Sequence, residues 1–185
     1  MKRSVIAVSA AVALAAPGTA SCSTQAAQPG ESVAASSSAV AEQSPAPKPA
    51  AHVGATLDLM RIGGQKIAVT LTEVIDPATV PNGWGEPGKT YVAAKVTIEN
   101  AGTTTIVGNS NSDVSMVGSD KLDHAADFAT VTECKDFVYG WFLLAAGAST
   151  SGCVVFALPQ GVTPVKIRYS PSAGISHDVG EWLNP

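Results

Sequence analysis

Hydrophobic and polar residues alternate with a period of two in many segments after Thr56, a pattern typical of β-strands. The segment 66–75 (KIAVTLTEVI) predicts a first long strand, and Val92, Val96 and Ile98 mark the core-facing side of a second. Further strand-like segments are, in chain order, 114–116 (VSM), 137–144 (FVYGWFLL), 152–159 (GCVVFALP) and 163–171 (TPVKIRYSP).

The spacing of these segments predicts the fold class. Turn residues separate them, and no stretch after Thr56 keeps a helical period for long. In the last segment, Val165, Ile167 and Tyr169 should lie on one face of a strand. About seven short strands in a domain of this length favour two packed antiparallel sheets. We therefore predict an all-β antiparallel sandwich over residues 54–185.

The N-terminal pattern is different and indicates export. Lys2 and Arg3 precede an uncharged run at 5–16 (VIAVSAAVALAA), and small residues follow, which predicts a signal peptide over residues 1–21. The closing stretch GTASC resembles the lipobox of bacterial lipoproteins, in which the Cys is lipidated before cleavage. We expect a lipid on Cys22 and a protein held at the extracytoplasmic face of the cell membrane. Ordinary cleavage after Ala20, which would give a secreted protein, is the alternative.

The composition of residues 22–53 predicts a tether between the signal and the domain. Ala, Ser and Pro dominate this segment, its only charged residues are Glu31, Glu42 and Lys48, and it contains no aromatic residue. Such a segment buries too little apolar area to offset the loss of chain entropy, so we expect it to be disordered.

Charge and cysteine content narrow the classes of partner and compartment. The formal net charge is −4 and no run of Lys or Arg occurs, which argues against a nucleic-acid partner. Of the three cysteines, a lipid on Cys22 would leave Cys134 and Cys153 as an even pair. Export to an oxidising compartment favours a disulfide between them; two buried free thiols are the alternative.

Three stretches resemble a known family. They are KTYVAAKVTIENAGTTTI (89–106), VSMVGSDK (114–121) and AAGASTSGCVVFALPQG (145–161). They resemble the telokin-like, immunoglobulin-like domain of unknown function found in actinobacterial and other Gram-positive exported lipoproteins, a family related to a secreted mycobacterial antigen. The resemblance covers most of residues 54–182. It implies an immunoglobulin-like sandwich and a Cys134–Cys153 disulfide, and it supplies no catalytic residues.

The densest polar cluster, DKLDHAAD, is a weak candidate for a metal site. Its potential ligands are Asp120, Asp123, His124 and Asp127. Carboxylates suit calcium and an imidazole adds affinity for zinc, but the spacing matches neither an EF-hand loop nor a paired-His zinc motif. We expect a solvated turn here, with no metal and no cofactor; a metal or stress sensor is a lesser alternative.

Catalytic motifs are not apparent in the sequence. Serines are common, but no Gly-x-Ser-x-Gly elbow occurs, and His124 and His177 are the only imidazoles of the predicted domain. Neither lies in a recognisable motif, so we predict that the protein is not an enzyme and assign no catalytic residue.

Aromatic residues supply the candidates for binding. Trp84 lies in a Gly- and Pro-rich loop, 81–88 (PNGWGEPG), where it either anchors a partner or folds back as a lid on the sandwich. Phe137, Tyr139 and Trp141 alternate along the strand predicted at 137–144. They fit either a central strand or an exposed aromatic face, and we expect core packing.

These expectations combine into one functional prediction. The protein is predicted to be a membrane-anchored lipoprotein that displays an immunoglobulin-like module to an unknown envelope protein or ligand. Loops at one end of the sandwich, or a free sheet edge, would make the contact. The alternative is a carrier lipoprotein for a small molecule or lipid.

Overall fold

The structure, a computed structural model, describes residues 48–184. The predicted signal peptide (1–21), the predicted lipidation site Cys22 and the tether up to residue 47 lie outside the described residues. Within the described part of the chain, no helix is both long enough and apolar enough to cross a membrane.

Strands make up most of the ordered structure. In chain order they are β1 (Ala51–His52), β2 (Thr56–Met60), β3 (Lys66–Ile75), β4 (Lys89–Glu99), β5 (Ile106–Asn109), β6 (Val114–Gly118), β7 (Asp123–Ala125), β8 (Trp141–Leu144), β9 (Ser149–Pro159), β10 (Pro164–Tyr169) and β11 (Gly180–Leu183). A single-turn helix, α1 (Ser110–Asp113), and 3-10 turns at Ile62–Gly64, Pro81–Gly83 and Val138–Gly140 complete the set.

The strands form three sheets. One sheet has the order β1-β11-β10-β6-β7, a second has the order β2-β3-β4-β9, and β5 pairs with β8 alone. Neighbours are antiparallel except β1 and β11, which are parallel. The predicted all-β antiparallel sandwich is confirmed.

The main core lies between these sheets and follows the period-two pattern. Val92, Val96 and Ile98 of β4 are buried in it, as predicted. Other large buried side chains of the same cluster come from all three sheets: Leu71, Val154, Phe156, Phe142, Met116, Ile167, Tyr169 and Trp182. Full burial of such a side chain contributes about 1.5–3 kcal/mol, so this cluster is the principal source of stability.

A second, smaller cluster lies on the other face of β4 and β9. It contains Tyr91, Ala93, Cys153 and Val155 from these strands together with Ala78 and Val131. Strands β4 and β9 are therefore buried on both faces over part of their length, because a long connection crosses their outer side.

Two strand predictions need correction. The segment 137–144 is not one strand, because the Val138–Gly140 turn interrupts it and β8 begins only at Trp141. Tyr139 and Gly140 adopt φ values of 51° and 79°, which do not occur in a regular strand. Val165 does not share the buried face of Ile167 and Tyr169, because a register shift between Pro164 and Lys166 turns it outward.

The domain also begins earlier than the predicted boundary at residue 54. Ala51 and His52, assigned to the tether, form β1 and pair with Trp182 and Leu183 of β11. The edge of β11 offers free backbone groups that a short segment of any composition can pair with, so composition alone conceals this strand.

Candidate functional site

The connection that covers β9 is defined here as the strap, residues 127–136. Its two ends pair with the free edge of β9: the Asp127 N–H donates to the Val155 carbonyl at 2.7 Å, and the Cys153 N–H donates to the Lys135 carbonyl at 3.0 Å. The Cys134–Cys153 disulfide, with a Cα–Cα distance of 6.1 Å, adds a covalent link between the strap and β9. The expected disulfide is therefore present.

A groove of about 590 Å³ lies where the two ends of the strap meet the Val138–Gly140 turn. We call it the strap groove, and its principal lining residues are Asp127, Phe128, Asp136, Phe137, Val138 and Tyr139. Val155 and Cys153 of β9 also contribute to its lining. The volume lies within the range of about 300–1,000 Å³ that is typical of small-molecule sites.

The aromatic side chains of the strap groove differ in burial. Phe128 and Tyr139 are each 79% exposed, whereas Phe137 is 8% exposed and its ring centroid lies 6.5 Å from that of Phe142. A Cβ added to Gly152 would come within 2.8 Å of the Phe137 ring. The glycine therefore makes room for Phe137 beneath the groove, while the other two rings remain free to meet a ligand.

The Val138–Gly140 turn is held in place by the segment that starts α1. The Asn109 side-chain amide donates to the Tyr139 carbonyl at 3.1 Å, and the Ser110 hydroxyl donates to the Gly140 carbonyl at 3.0 Å. Asn109 also caps α1 by accepting from the Asn111 N–H at 3.0 Å. These bonds support the raised position of Tyr139.

The predicted core packing of the 137–144 aromatics is wrong for two of the three. Phe137 is buried, but Tyr139 is exposed on the turn and Trp141 is 59% exposed on the outer side of β8. Phe142, the neighbour of Trp141, takes the inward position. The interruption of the strand shifts the alternation, so the aromatic residues divide between core and surface.

The electrostatics of the strap groove are acidic. Burial raises the pKa of the Asp136 carboxyl above its ordinary value. Its Oδ1 atom is covered and has no hydrogen-bond donor among the described residues. Asp127 accepts from the Ala129 N–H at 2.7 Å. None of the eleven described residues that line the groove is Lys, Arg or His.

The four weak metal candidates are not brought together. Asp120 lies 3.2 Å from His124 Nε2, whereas Asp123 pairs with Arg168 at 2.7 Å. Asp127 belongs to the strap groove instead. Over residues 48–184, no group of three His, Cys, Asp or Glu side chains has the geometry to hold a metal ion.

Asp120 fits the expected solvated turn. Partial desolvation raises the pKa of its carboxyl. Hydrogen bonds from the Leu122 N–H and from His124 together lower the pKa by a larger amount, so the net shift is downward. The carboxylate thus fixes the turn between β6 and β7 through local bonds.

Trp84 is 80% exposed at the end of the Pro81–Gly83 turn, so it does not cover the sandwich as a lid. Its backbone N–H donates to the Pro81 carbonyl at 3.3 Å, and the loop is fastened further along by the Glu86 N–H, which donates to the Tyr91 hydroxyl at 3.0 Å. Trp84 is not among the residues of the strap groove. Its role as a partner anchor remains a prediction.

Residues 59–179 match the family model described as a domain of unknown function, DUF4352. The chain belongs to the DUF4352 family. The match covers β3 to β10 and the strap, so the fold and the strap groove both lie within the DUF4352 region. Among curated proteins, none matches this DUF4352 chain significantly.

Solved structures resemble the DUF4352 domain in fold. MPT63, a secreted protein from Mycobacterium tuberculosis, is 15% identical with a TM-score of 0.57, over 75% of this chain and 99% of its own. A lipoprotein candidate from Bacillus subtilis, ycdA, is 13% identical with a TM-score of 0.45, over 72% of this chain and 39% of its own. A β-sandwich protein from Clostridium difficile is 11% identical with a TM-score of 0.44, over 75% of this chain and 97% of its own.

The DUF4352 domain also contains a buried polar network that the sequence did not indicate. The Tyr169 hydroxyl donates to Asp113 at 3.2 Å and the Ala173 N–H donates to the same carboxyl at 2.8 Å. Arg61, itself buried, donates to the Val107 carbonyl at 2.7 Å. Burial raises the pKa of Asp113, while both hydrogen bonds and the charge of Arg61 lower it by less. With Asp113 and Tyr169 almost fully buried, the network serves the core and is closed to a substrate.

Three residues of the strap groove were not predicted as site residues from the sequence: Phe128, Asp136 and Val138. Phe128 is a single aromatic residue in an otherwise polar and small-residue segment, AADFATVTE. This isolated aromatic residue is the one feature of the sequence that could have indicated the groove. Nothing in the alternation places the strap against β9, because its position depends on contacts with residues that are distant from it in the chain.

Proposed function

We propose that the protein is an extracytoplasmic binding module that is held at the cell membrane by a lipid on Cys22 and contacts a partner through the strap groove. The observation that carries this proposal is the pair of exposed rings, Phe128 and Tyr139, that line an acidic groove. Tyr is enriched at binding surfaces, and exposed apolar patches mark interaction sites.

The rigidity of the groove supports binding. The disulfide and two backbone hydrogen bonds hold the strap, and Asn109 and Ser110 hold the opposite turn. A surface already fixed in its binding shape loses less conformational entropy on association than a flexible loop does. The exposed side chains are therefore presented on a preorganised frame.

The extracytoplasmic location is supported by independent features of the sequence and the structure. The predicted signal peptide and the GTASC stretch point to export with lipidation. The Cys134–Cys153 disulfide is the kind of bond that persists in an oxidising compartment. The resemblance to actinobacterial, telokin-like lipoproteins is part of the same proposal.

A site-specific photo-cross-linking experiment tests the contact site. We replace Tyr139 with p-benzoylphenylalanine in the producing cells and use position 84 as the control, because Trp84 and Tyr139 are equally exposed. We expect one discrete adduct with an envelope protein from position 139 that is lost when Phe128→Ser is added. An adduct from position 84 and none from position 139 would contradict the groove as the contact site and favour the Trp84 loop.

A small-molecule carrier is the second candidate, and the groove volume of about 590 Å³ favours it. Native mass spectrometry of the protein purified from its own host distinguishes the two functions. A retained molecule of constant mass that is lost in Phe128→Ser would support the carrier. A bare polypeptide together with the position 139 adduct would support the binding module.

A further inference from the structure

We propose that the strap groove recognises a cationic side chain, an Arg or Lys presented by the partner protein. This inference rests on the proposed function, since it names the chemistry of the contact made at the same site. It is carried by three properties of the groove: uncompensated negative charge, exposed aromatic rings and an apolar lining.

The first property is charge without an internal counterion. Asp127 and Asp136 line the strap groove, and none of its eleven described lining residues is basic. Lys135 is exposed beside Asp136 in sequence but does not line the groove. One oxygen of Asp136, Oδ1, is shielded from solvent and lacks a hydrogen-bond donor within residues 48–184, so neither water nor the protein compensates this atom.

Several other carboxylates of the domain have cationic partners within residues 48–184, whereas Asp127 and Asp136 have none there. Asp123 pairs with Arg168 at 2.7 Å, and Asp178 pairs with Lys48 at 2.6 Å. Glu181 accepts from both Lys166 and Arg168 at 3.0 Å. A cation supplied by a partner would complete the same kind of pair in the groove, in a partly desolvated site where the interaction is stronger than in open water.

The second property is the aromatic lining. The faces of aromatic rings carry negative potential and attract cations, so Phe128 and Tyr139 act in the same direction as the carboxylates. A guanidinium group also stacks on rings, which an ammonium group does not do, and this favours Arg over Lys.

The third property is the apolar lining beneath the charges. Val155, Phe137 and the disulfide residue Cys153 form part of it. The methylene stem of an Arg or Lys can lie against such a surface while its charged end meets the carboxylates. A small free cation would leave Val138, Phe128 and Tyr139, which are 70–79% exposed, largely uncovered, and this favours a side chain on a protein surface.

The test is an NMR titration of the isotope-labelled chain carrying Cys22→Ala. The probes are N-acetyl-arginine methylamide and its uncharged isostere N-acetyl-citrulline methylamide at constant ionic strength. We expect arginine to shift the backbone amides of 127–130 and 136–139 saturably. Its affinity should exceed that of citrulline by about tenfold, the combined size expected for a cation–π contact and a charge pair.

Charge variants locate the effect. Asp136→Asn should weaken arginine binding by about five- to tenfold, and Asp127→Asn should also weaken it. Asp58→Asn, which removes the same charge from strand β2 at the opposite edge of the four-stranded sheet, should leave the affinity unchanged. A dispersed spectrum and an intact disulfide in each variant show that the fold is retained.

The outcomes separate this inference from the proposed function. Equal binding of the arginine and citrulline probes would overturn the recognition of a cation while the groove kept its binding role. If neither probe binds but the position 139 adduct still forms, the recognition of a cation is likewise overturned and the groove keeps its binding role. No probe binding and no adduct would overturn both.

Discussion

Asp113 links the stability of the sandwich to pH. Its carboxyl is buried beside Tyr169, and burial raises its pKa in the folded state above the value that the unfolded chain would show. The folded state therefore binds a proton more tightly than the unfolded state does. The resulting stabilisation is fully present below the unfolded pKa, and it is lost as the pH rises through the folded pKa.

Asp113→Asn should remove this pH dependence. We expect the free energy of unfolding of the wild type, relative to the variant, to fall as the pH rises from about 4, at about 1.4 kcal/mol for each unit by which the two pKa values differ. Urea unfolding over a series of pH values measures it. A difference that stays constant or grows with pH would contradict the assignment.

Tyr169→Phe provides the matched second variant for the same network. The Tyr169 hydroxyl donates to Asp113 and thereby lowers the pKa of that carboxyl. Loss of this bond should raise the pKa of Asp113 in the folded state and so move the upper end of the pH-dependent window to higher pH, without abolishing the pH dependence. An unmoved window would show that the hydroxyl has no influence on the carboxyl.

At the scale of single residues, burial could be predicted where the period-two alternation of a strand alone determines it. Val92, Val96 and Ile98 are buried because they share one side of an uninterrupted strand. Val165 is not, because a register shift of one residue reverses the side on which it lies. The sequence does not decide whether Trp84 is exposed, because a Gly- and Pro-rich loop has no periodicity that would indicate it.

At the scale of elements, the strap shows the limit of pattern-based prediction. Residues 127–136 contain neither a strand nor a helix period, and their place is set by the disulfide, by edge pairing with β9 and by burial of Val131. All three are long-range effects. The sequence indicated the disulfide through the count of cysteines, but not the groove that the strap creates.

Removing the disulfide should weaken both the fold and the groove. Cys134 and Cys153 are separated by 19 positions, and a loop of this length is worth about 3 kcal/mol in the chain-entropy model. We expect Cys134→Ala/Cys153→Ala to lose about that much unfolding free energy and most arginine binding, because the strap carries Phe128 and both groove carboxylates.

Urea unfolding and the NMR titration measure these two losses. Wild type reduced and alkylated in its folded state is the control for the alanine substitutions, and it should behave in the same way. Unchanged stability together with unchanged arginine binding would show that the β9 edge pairing and the packing of Val131 hold the strap without the covalent link.

At the scale of the whole molecule, the predicted all-β class is confirmed because most strands obey the same alternation and turn rules. The N-terminal predictions concern residues 1–47, outside the described part of the chain, and need their own test. Cys22 should incorporate a labelled fatty acid and carry the protein to the membrane fraction. Two or three acyl chains, at about 0.8 kcal/mol for each buried methylene, would hold it there.

Cys22→Ala should abolish the labelling and release the protein into the medium. Ser21→Ala, which keeps a small residue beside the cleavage site, is the matched control and should remain labelled. Metabolic labelling with an alkyne fatty acid, followed by fractionation, measures both. A wild-type protein that is unlabelled and begins at Ser21 would contradict the anchor.

The pairing of β1 with β11 determines how the domain responds to tension. Any pull transmitted from the N-terminal side reaches the exposed Lys48–Asp178 ion pair first and then Ala51–His52, a strand that joins the sheet through two residue pairs. Hydrogen bonds contribute about 1 kcal/mol each, so β1 can peel away at low force while Trp182 and the core stay in place. The module would then yield a short extra length of chain and keep the strap groove intact under load.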